Sequence, residues 1–208
     1  MESNADLRAA ITVESMRARD NPFRSETLLK MPYQLYGSTW TELLKRAAKF
    51  HYRGAIIGPH GSGKTTLLEN LEPWLMELGF SICRIRLDEN QKTLEKPFLK
   101  ELRHKLTSID IILFDGAEQM NALNWYLFCQ RTRHGGGLII TTHRPGRLPT
   151  LWQCSTSPYL LGTIAAGLLN VEPENIRDQA TELYCKHRGN LREALREWYD
   201  LVAQSNLS

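Results

Sequence analysis

The sequence predicts an α/β fold in which a parallel sheet is covered by helices on both faces. Two observations support it: short apolar runs of strand length alternate with longer amphipathic segments, and no internal repeat or low-complexity tract interrupts them. Strands joined through helices run parallel, and such a sheet is buried on both faces. With 208 residues and 42% hydrophobic content, the chain is long enough for one such domain and a small helical addition.

The elements follow in a regular order after a polar, arginine-bearing lead-in over residues 1–36. The stretch STWTELLKRAAKF at 38–50 has a Ser/Thr cap, a glutamate in the first turn and apolar residues at helical spacing, which together predict a helix. Apolar or alternating runs predict four strands, and amphipathic segments between them predict three further helices. The strands are GAIIG, SICRIRL, IDIILF and LIITT, and the helices are KTTLLENLEPWLMELGF, TLEKPFLKELRHKL and NALNWYLFCQRTRHGG.

The last third of the chain differs in composition from this alternating core, which we place at 37–161. A stretch punctuated by proline and serine, RPGRLPTLWQCSTSPYLL, leads into GTIAAGLL, and an Asn-Val-Glu-Pro break precedes two helical stretches. We expect residues 162–208 to form a small helical lid.

Charge and cysteine content disfavour several classes of protein. The 26 Lys and Arg against 23 Asp and Glu give a net charge of +3, which is too small to indicate a nucleic-acid binder. The four cysteines are widely spaced without a Cys-x-x-Cys pair, so neither a zinc site nor a disulfide scaffold is predicted. The N-terminal stretch lacks an apolar signal core, and no apolar run reaches the roughly 18 residues of a membrane helix. These features predict a cytoplasmic protein without a membrane partner.

A glycine-rich loop stands between the first predicted strand and its helix. The string GPHGSGKTT matches G-x-x-x-x-G-K-[ST]. Glycines let successive N–H groups point inward at phosphate oxygens, and the following helix adds its positive N-terminal end. Lys64 would reach the β- and γ-phosphates, and Thr65 would offer its hydroxyl to Mg²⁺. For His60, an exposed loop position without a role is the alternative. The candidate nucleotide-binding residues of the loop are Gly58, Pro59, His60, Gly61, Ser62, Gly63, Lys64, Thr65 and Thr66.

This loop resembles the Walker A motif of P-loop NTPases. The string GPHGSGKTTLL is similar to that of ABC-type ATPases, but only about fifty residues separate Lys64 from Asp115, and no LSGGQ signature lies between them. GTPases are set aside because an Asn-Lys-x-Asp motif is absent from the sequence. Over about residues 33–200 the chain resembles the additional-strand division of P-loop NTPases, and within it the AAA+-like ATPases. This resemblance implies a three-layer sandwich with strand order 5-1-4-3-2, and ATP with Mg²⁺ as cofactors.

The strand IDIILF leads directly into Asp115, a position from which a carboxylate could face the nucleotide's metal. Asp115 resembles a Walker B aspartate, and a helix-capping aspartate is the alternative. AAA+ and RecA-like ATPases commonly have a glutamate next, which polarises the attacking water, whereas this chain has Gly116. Glu118, on the same loop, is one candidate replacement. Glu89, after the strand SICRIRL, is another, because RecA-like ATPases place their catalytic glutamate at the end of that strand.

Polar residues end or follow the strand LIITT, where AAA+ ATPases keep a sensor-1 residue near the γ-phosphate. Thr142 or His143 could hydrogen-bond that phosphate or its attacking water. Arg144 or Arg147 could act as an arginine finger toward a neighbouring subunit. A strand-end threonine, a surface histidine and solubilising arginines are the alternatives.

Two further segments resemble nucleotide-binding parts of AAA+ proteins. GNLREALREW is similar to the start of a sensor-2 helix, which makes Arg192 a candidate phosphate contact. An arginine at a helix N-terminus opposes the macrodipole, so an anionic partner would explain it, and Glu193 is the alternative partner to phosphate. PYQLYG resembles the segment that packs against adenine, so Tyr36 and Gly37 are candidates for base contact.

The sequence therefore predicts a Mg²⁺-dependent, AAA+-like ATPase that acts on an unknown protein partner or forms a homo-oligomer. A nucleotide-binding switch or adaptor with little or no hydrolysis is the alternative that Gly116 favours, and a P-loop kinase with RPGR in its lid is a third. Nucleic-acid handling rests on fold analogy alone. Glutamates interleave with the basic residues of TLEKPFLKELRHKL, which is typical of a solvated helix.

Overall fold

The computed structural model describes residues 21–23, 31–90 and 92–205. The chain divides into two compact units, here called the sheet unit and the helical unit. The sheet unit contains Pro32–Gly58 and Gly63–Cys154. The helical unit contains Met1–Met31, Pro59–Ser62 and Ser155–Ser208, as far as these ranges are described. The boundaries at 36 and 161 remain a prediction, and most of the lead-in lies outside the described residues.

The sheet unit is built on five parallel strands in the order β2-β3-β4-β1-β5. They are β1 Arg53–Ile57, β2 Ser81–Arg86, β3 Asp110–Asp115, β4 Gly137–Thr142 and β5 Thr150–Gln153. Read from the other edge this order is 5-1-4-3-2, so the predicted fold class and strand order are confirmed. β5 lies in the stretch where the sequence indicated no strand, because four residues are too few to show a period.

Helices join consecutive strands from β1 to β4, and another precedes β1. They are α1 Trp40–Lys49, α2 Lys64–Glu77, α3 Lys96–Lys105 and α4 Ala122–Arg131, and a single 3-10 turn, Ala117–Gln119, separates β3 from α4. α1 begins where the sequence predicts, because Thr39 and Glu42 form a reciprocal capping box.

Buried apolar side chains cover both faces of the sheet, and β3 shows how they are distributed. Ile111 and Leu113 join the cluster formed with α1 and α2. Ile112 and Phe114 join the opposite cluster, formed with α3 and α4. Successive side chains of a strand point to opposite faces, so a strand covered on both sides must be apolar throughout. This requirement explains the unbroken apolar runs in the sequence.

The helical unit consists of α5 Pro158–Leu169, α6 Arg177–Lys186 and α7 Leu191–Ser205, with a 3-10 turn at Pro173–Ile176. Ser157 caps α5 and Pro158 occupies its first turn, a position that proline favours. The unit has its own core, in which the buried Trp198 stacks on Phe23 with ring centroids 5.7 Å apart. None of the described helices is long and apolar enough to span a bilayer.

Candidate nucleotide-binding site

The phosphate loop leaves the sheet at the edge where β1, β3 and β4 end. Ile57 at the end of β1 pairs with Thr142 at the end of β4, and the Gly58 N–H donates to the Thr142 carbonyl at 3.2 Å. Asp115 ends the neighbouring strand β3. The carboxyl ends of parallel strands are the usual ligand-binding edge of an open α/β sheet, so Gly58, the start of α2 and these strand ends form the candidate site within the sheet unit.

Lys64 begins α2 and is almost fully buried. Its Nζ donates to the Gly58 carbonyl at 2.9 Å and lies 3.3 Å from His143 Nδ1. A cation at a helix N-terminus opposes the macrodipole, and a helix N-terminus attracts anions. An arrangement in which Lys64 is held beside the loop therefore suits a phosphate ligand.

Thr65 and Asp115 bring a hydroxyl and a carboxylate together at the start of α2. Thr65 Oγ1 donates to Asp115 Oδ2 at 3.0 Å. These are hard oxygen ligands of the kind that Mg²⁺ takes, usually together with waters and substrate phosphates. Groups of three or more His, Cys, Asp or Glu able to hold a metal do not occur in the described part of the chain. Thr65 and Asp115 are the residues that would supply protein ligands to a metal bound together with a nucleotide.

Thr141 holds the other side of Asp115. Its Oγ1 donates to Asp115 Oδ1 at 2.6 Å and accepts from the Gly116 N–H at 2.9 Å. Arg86 Nε, at the end of β2, lies 3.8 Å from Asp115 Oδ2. Sequence alone does not select Thr141, because a β-branched residue within a buried strand is typical of the core. Its role depends on the pairing of β3 with β4.

The backbone explains why a glycine follows Asp115. Gly116 has φ +81°, in the left-handed region, and a Cβ built on it would lie 2.2 Å from the Leu87 carbonyl oxygen. That carbonyl belongs to the residue after β2, whose N–H donates to the Asp115 carbonyl at 2.9 Å. A side chain at 116 would thus meet both strain and a backbone clash. A glutamate could not occupy this position without moving the end of a strand.

Glu118 lies in the 3-10 turn after Gly116 and reaches the end of β4. Its Oε1 is 2.9 Å from His143 Nε2. His143 Nδ1 is also 3.3 Å from the Gly58 carbonyl oxygen. Nε2 donates to the Glu118 carboxylate, while Nδ1 accepts from Lys64 when it is unprotonated and donates to the Gly58 carbonyl when it carries a proton. His143 therefore links the lysine of the phosphate loop to this carboxylate.

The tip of the phosphate loop belongs to the helical unit. Ser62 Oγ donates to the Pro59 carbonyl at 2.9 Å, and a Cβ built on Gly61 would lie 1.9 Å from Asn190 Oδ1. Asn190 precedes α7 and accepts from the Glu193 N–H at 3.3 Å, as a helix cap does. Asn190 of the predicted sensor-2 segment thus lies against Gly61 within the helical unit. The Arg192 side chain is exposed, and its contact with phosphate stays a prediction.

The segment before α1 contacts the loop through a tyrosine that the sequence did not single out. The ring of Tyr33 lies against Gly63, and the backbone N–H of Tyr33 donates to Asn70 Oδ1 at 2.6 Å. Burial raises the pKa of Tyr33 well above its ordinary range. Tyr36 is 51% exposed, and its hydroxyl donates to Gln34 Oε1 at 2.9 Å. Base contact by Tyr36 and Gly37 stays a prediction.

Comparison with known proteins identifies the fold to which this architecture is similar. No known family profile matches the chain. Over 75 residues it is 39% identical to origin recognition complex subunit 4 of Mus musculus, a stretch that covers 34% of this chain and 17% of that protein. A RuvB variant of Thermotoga maritima superposes with a TM-score of 0.51 at 19% identity, over 75% of this chain and 58% of that one. The chain has the fold of an AAA+-like P-loop ATPase. The region similar to this chain spans about one sixth of the mouse protein and somewhat over half of the RuvB chain.

The remaining candidate residues differ in how far they are buried and in what they contact. Thr142 is buried, and its hydroxyl donates to the Arg144 carbonyl at 2.6 Å. The other sensor-1 candidate, His143, contacts both Lys64 and Glu118. Glu89 lies three residues beyond the end of β2, in an exposed loop. Within the loop itself His60 is exposed, and Thr66 in the first turn of α2 is half-buried.

Proposed function

We propose that the chain binds Mg²⁺·ATP at the phosphate loop and hydrolyses it to ADP and phosphate. The observation that supports hydrolysis is the link from Glu118 through His143 to Lys64. It joins a carboxylate suited to act as a base to the residue expected to contact the γ-phosphate. Nucleotide binding alone would not require this carboxylate.

Each part of the site has a distinct task in this proposal. The N–H groups of the phosphate loop and Lys64 bind the β- and γ-phosphates. Thr65 and Asp115 would hold Mg²⁺, which would neutralise the charge that develops on the phosphate oxygens. Thr141 keeps Asp115 in place through its hydrogen bond to Oδ1.

Glu118 is the proposed general base. Its carboxylate takes a proton from the water that attacks the γ-phosphorus, and the bond from that phosphorus to the leaving ADP oxygen breaks. The Nε2–H of His143 keeps Oε1 in a fixed position and so orients the carboxylate. A carboxylate held in this way can replace a glutamate directly after Asp115.

The alternative of a nucleotide-held switch drew its support from Gly116. That residue now has a backbone explanation, because the left-handed turn and the Leu87 carbonyl exclude a side chain there. The partner is proposed on separate grounds. The mouse protein that shares 39% identity over 75 residues is by name a subunit of a complex, which supports assembly with another protein chain here as well.

The test is phosphate release from Mg²⁺·ATP by the wild type, Lys64→Ala and Glu118→Gln. We expect Lys64→Ala to abolish turnover through loss of phosphate contacts. Glu118→Gln should lower kcat by roughly 10²- to 10⁴-fold, since a general base contributes that much, while ATP affinity stays within about twofold. Glu77→Gln, which changes an exposed carboxylate near the end of α2, is the matched control and should behave as wild type.

Two outcomes would separate the alternatives. A wild type that binds ATP but releases no phosphate at any protein concentration would show a nucleotide-held switch. Turnover that survives Glu118→Gln unchanged would remove Glu118 from the mechanism and leave the ATPase proposal standing with another base.

A further inference from the structure

Arg147, in the loop between β4 and β5, is tied to its own chain by two contacts. Its Nη2 donates to the Met120 carbonyl, and its guanidinium carbon lies 4.9 Å from the centre of the Trp125 ring. Met120 directly follows the 3-10 turn that carries Glu118, and Trp125 lies in the helix after it. One guanidinium therefore contacts the chain just after Glu118 at two points.

The surroundings of this guanidinium are electrostatically linked to Glu118. Burial lowers the pKa of Arg147, and the nearby Glu118 carboxylate and Cys129 oppose that shift. In the described part of the sheet unit, two buried side-chain polar atoms lack a hydrogen-bond partner, and these are Glu118 Oε2 and Arg147 Nη1. A buried group that lacks a partner is unfavourable, and two of opposite charge in one region favour each other.

We propose that Arg147 is a positioning residue for Glu118 and acts within its own chain. It fixes the turn Ala117–Gln119 from its C-terminal side through Met120 and Trp125, while its positive charge acts on the Glu118 carboxylate through space. This inference rests on the proposed function, because it assigns Arg147 to the carboxylate that activates water. It replaces the expectation that Arg147 serves a neighbouring subunit as an arginine finger.

Lysine cannot reproduce this arrangement. A planar guanidinium can lie over a ring while it donates from its edge in two directions, whereas an ammonium is a compact point charge. Arg147→Lys therefore keeps the charge and removes the geometry. A role limited to charge would survive this change, and a positioning role would not.

The experiment measures Mg²⁺·ATP turnover by Arg147→Lys, Glu118→Gln and the double variant. We expect Arg147→Lys to lower kcat by about 10- to 100-fold, the size of a misplaced catalytic group, with KM within about twofold. In the Glu118→Gln background the same change should have no further effect on kcat. Arg133→Lys, an exposed arginine after α4, is the control and should match wild type.

Three results would overturn the inference. They are an unchanged kcat in Arg147→Lys, a full additional loss in the double variant, and recovery of turnover when Arg147→Ala and Glu118→Gln chains are mixed. The last result would show that Arg147 acts in trans, because each chain would supply what the other lacks.

Hydrogen exchange separates this inference from the proposed function. The amides of Gln119 and Met120 donate to carbonyls of the turn at 3.1 and 3.2 Å, and Arg147→Lys should speed their exchange with solvent. This readout needs no turnover, so a wild type without ATPase activity would refute the proposed function and still leave Arg147 testable. Unchanged exchange at these amides would refute the positioning role.

Discussion

The loops that follow β2 and β3 leave the sheet side by side, and each carries an acidic residue three positions past its strand's last residue. After β3, the chain turns at Gly116, and Glu118 is drawn in to His143. After β2, Glu89 is exposed to solvent. The 3-10 turn after Gly116 thus holds Glu118 beside His143, whereas Glu89 extends from an exposed loop.

The first prediction concerns a substitution that disturbs the backbone turn at Gly116. Gly116→Ala places a Cβ 2.2 Å from the Leu87 carbonyl oxygen and forces a left-handed conformation on alanine. We expect the free energy of unfolding to fall by about 3 kcal/mol or more, from strain and from displacement of the neighbouring strand end. Chemical denaturation measures the change.

Gly79→Ala is the matched control for this substitution. Gly79 also has a positive φ, +89°, but a Cβ there would meet no atom within 4 Å. It should lose only about 1–2 kcal/mol, from the left-handed conformation alone. Equal losses at the two positions would show that contact with the Leu87 carbonyl does not select glycine at 116.

The second prediction concerns a substitution that leaves the backbone intact and removes the side chain in contact with Glu118. His143→Ala should lower kcat by about 10²-fold, because the carboxylate loses the contact that fixes its Oε1. His134→Ala, at an exposed histidine after α4, should not change kcat. A normal kcat in His143→Ala would mean that the turn alone positions Glu118.

The third prediction concerns the hydroxyl that joins β3 to β4. Thr141→Val keeps the shape and leaves Asp115 Oδ1 and the Gly116 N–H without this partner. We expect a loss of about 1–3 kcal/mol in the free energy of unfolding and a higher Mg²⁺ requirement for turnover. Thr142→Val removes one hydrogen bond to the Arg144 carbonyl and should cost about 1 kcal/mol, with an unchanged Mg²⁺ requirement. Equal Mg²⁺ titrations for both variants would contradict a specific role for Thr141.

These residues also show which parts of the molecule the sequence could predict. The strands β1, β3 and β4 could be predicted because burial on both faces demands largely apolar residues. The edge strand β2 could be predicted from its alternating polar and apolar residues. Lys64, Thr65 and Asp115 could be selected because their motif spacing has a mechanical reason. β5 is too short for a period, and its sequence gave no comparable signal.

The supporting residues of the site could not be predicted, because their partners are distant in sequence. Thr141 meets Asp115 across 26 positions, and Arg147 reaches Met120 across 27. Such contacts follow from strand order and register, which no local pattern contains. The reason for Gly116 is of the same kind, since it lies in the Leu87 carbonyl of another strand end. Sequence alone likewise could not choose between Glu118 and Glu89 as the proposed base, because the choice depends on how the loops after β3 and β2 fold.

The smallest expected effect belongs to Glu89. Glu89→Gln changes an exposed side chain beyond β2, and we expect kcat and KM for Mg²⁺·ATP to stay within about twofold of wild type, since surface substitutions of this kind have little effect. The measurement is decisive when it is paired with Glu118→Gln under the same conditions. If Glu89→Gln instead loses 10²-fold or more while Glu118→Gln retains its activity, the loop after β2 must close over the nucleotide in the working enzyme. The contact between Glu118 and His143 would then serve stability, and the base would lie where RecA-like ATPases place it.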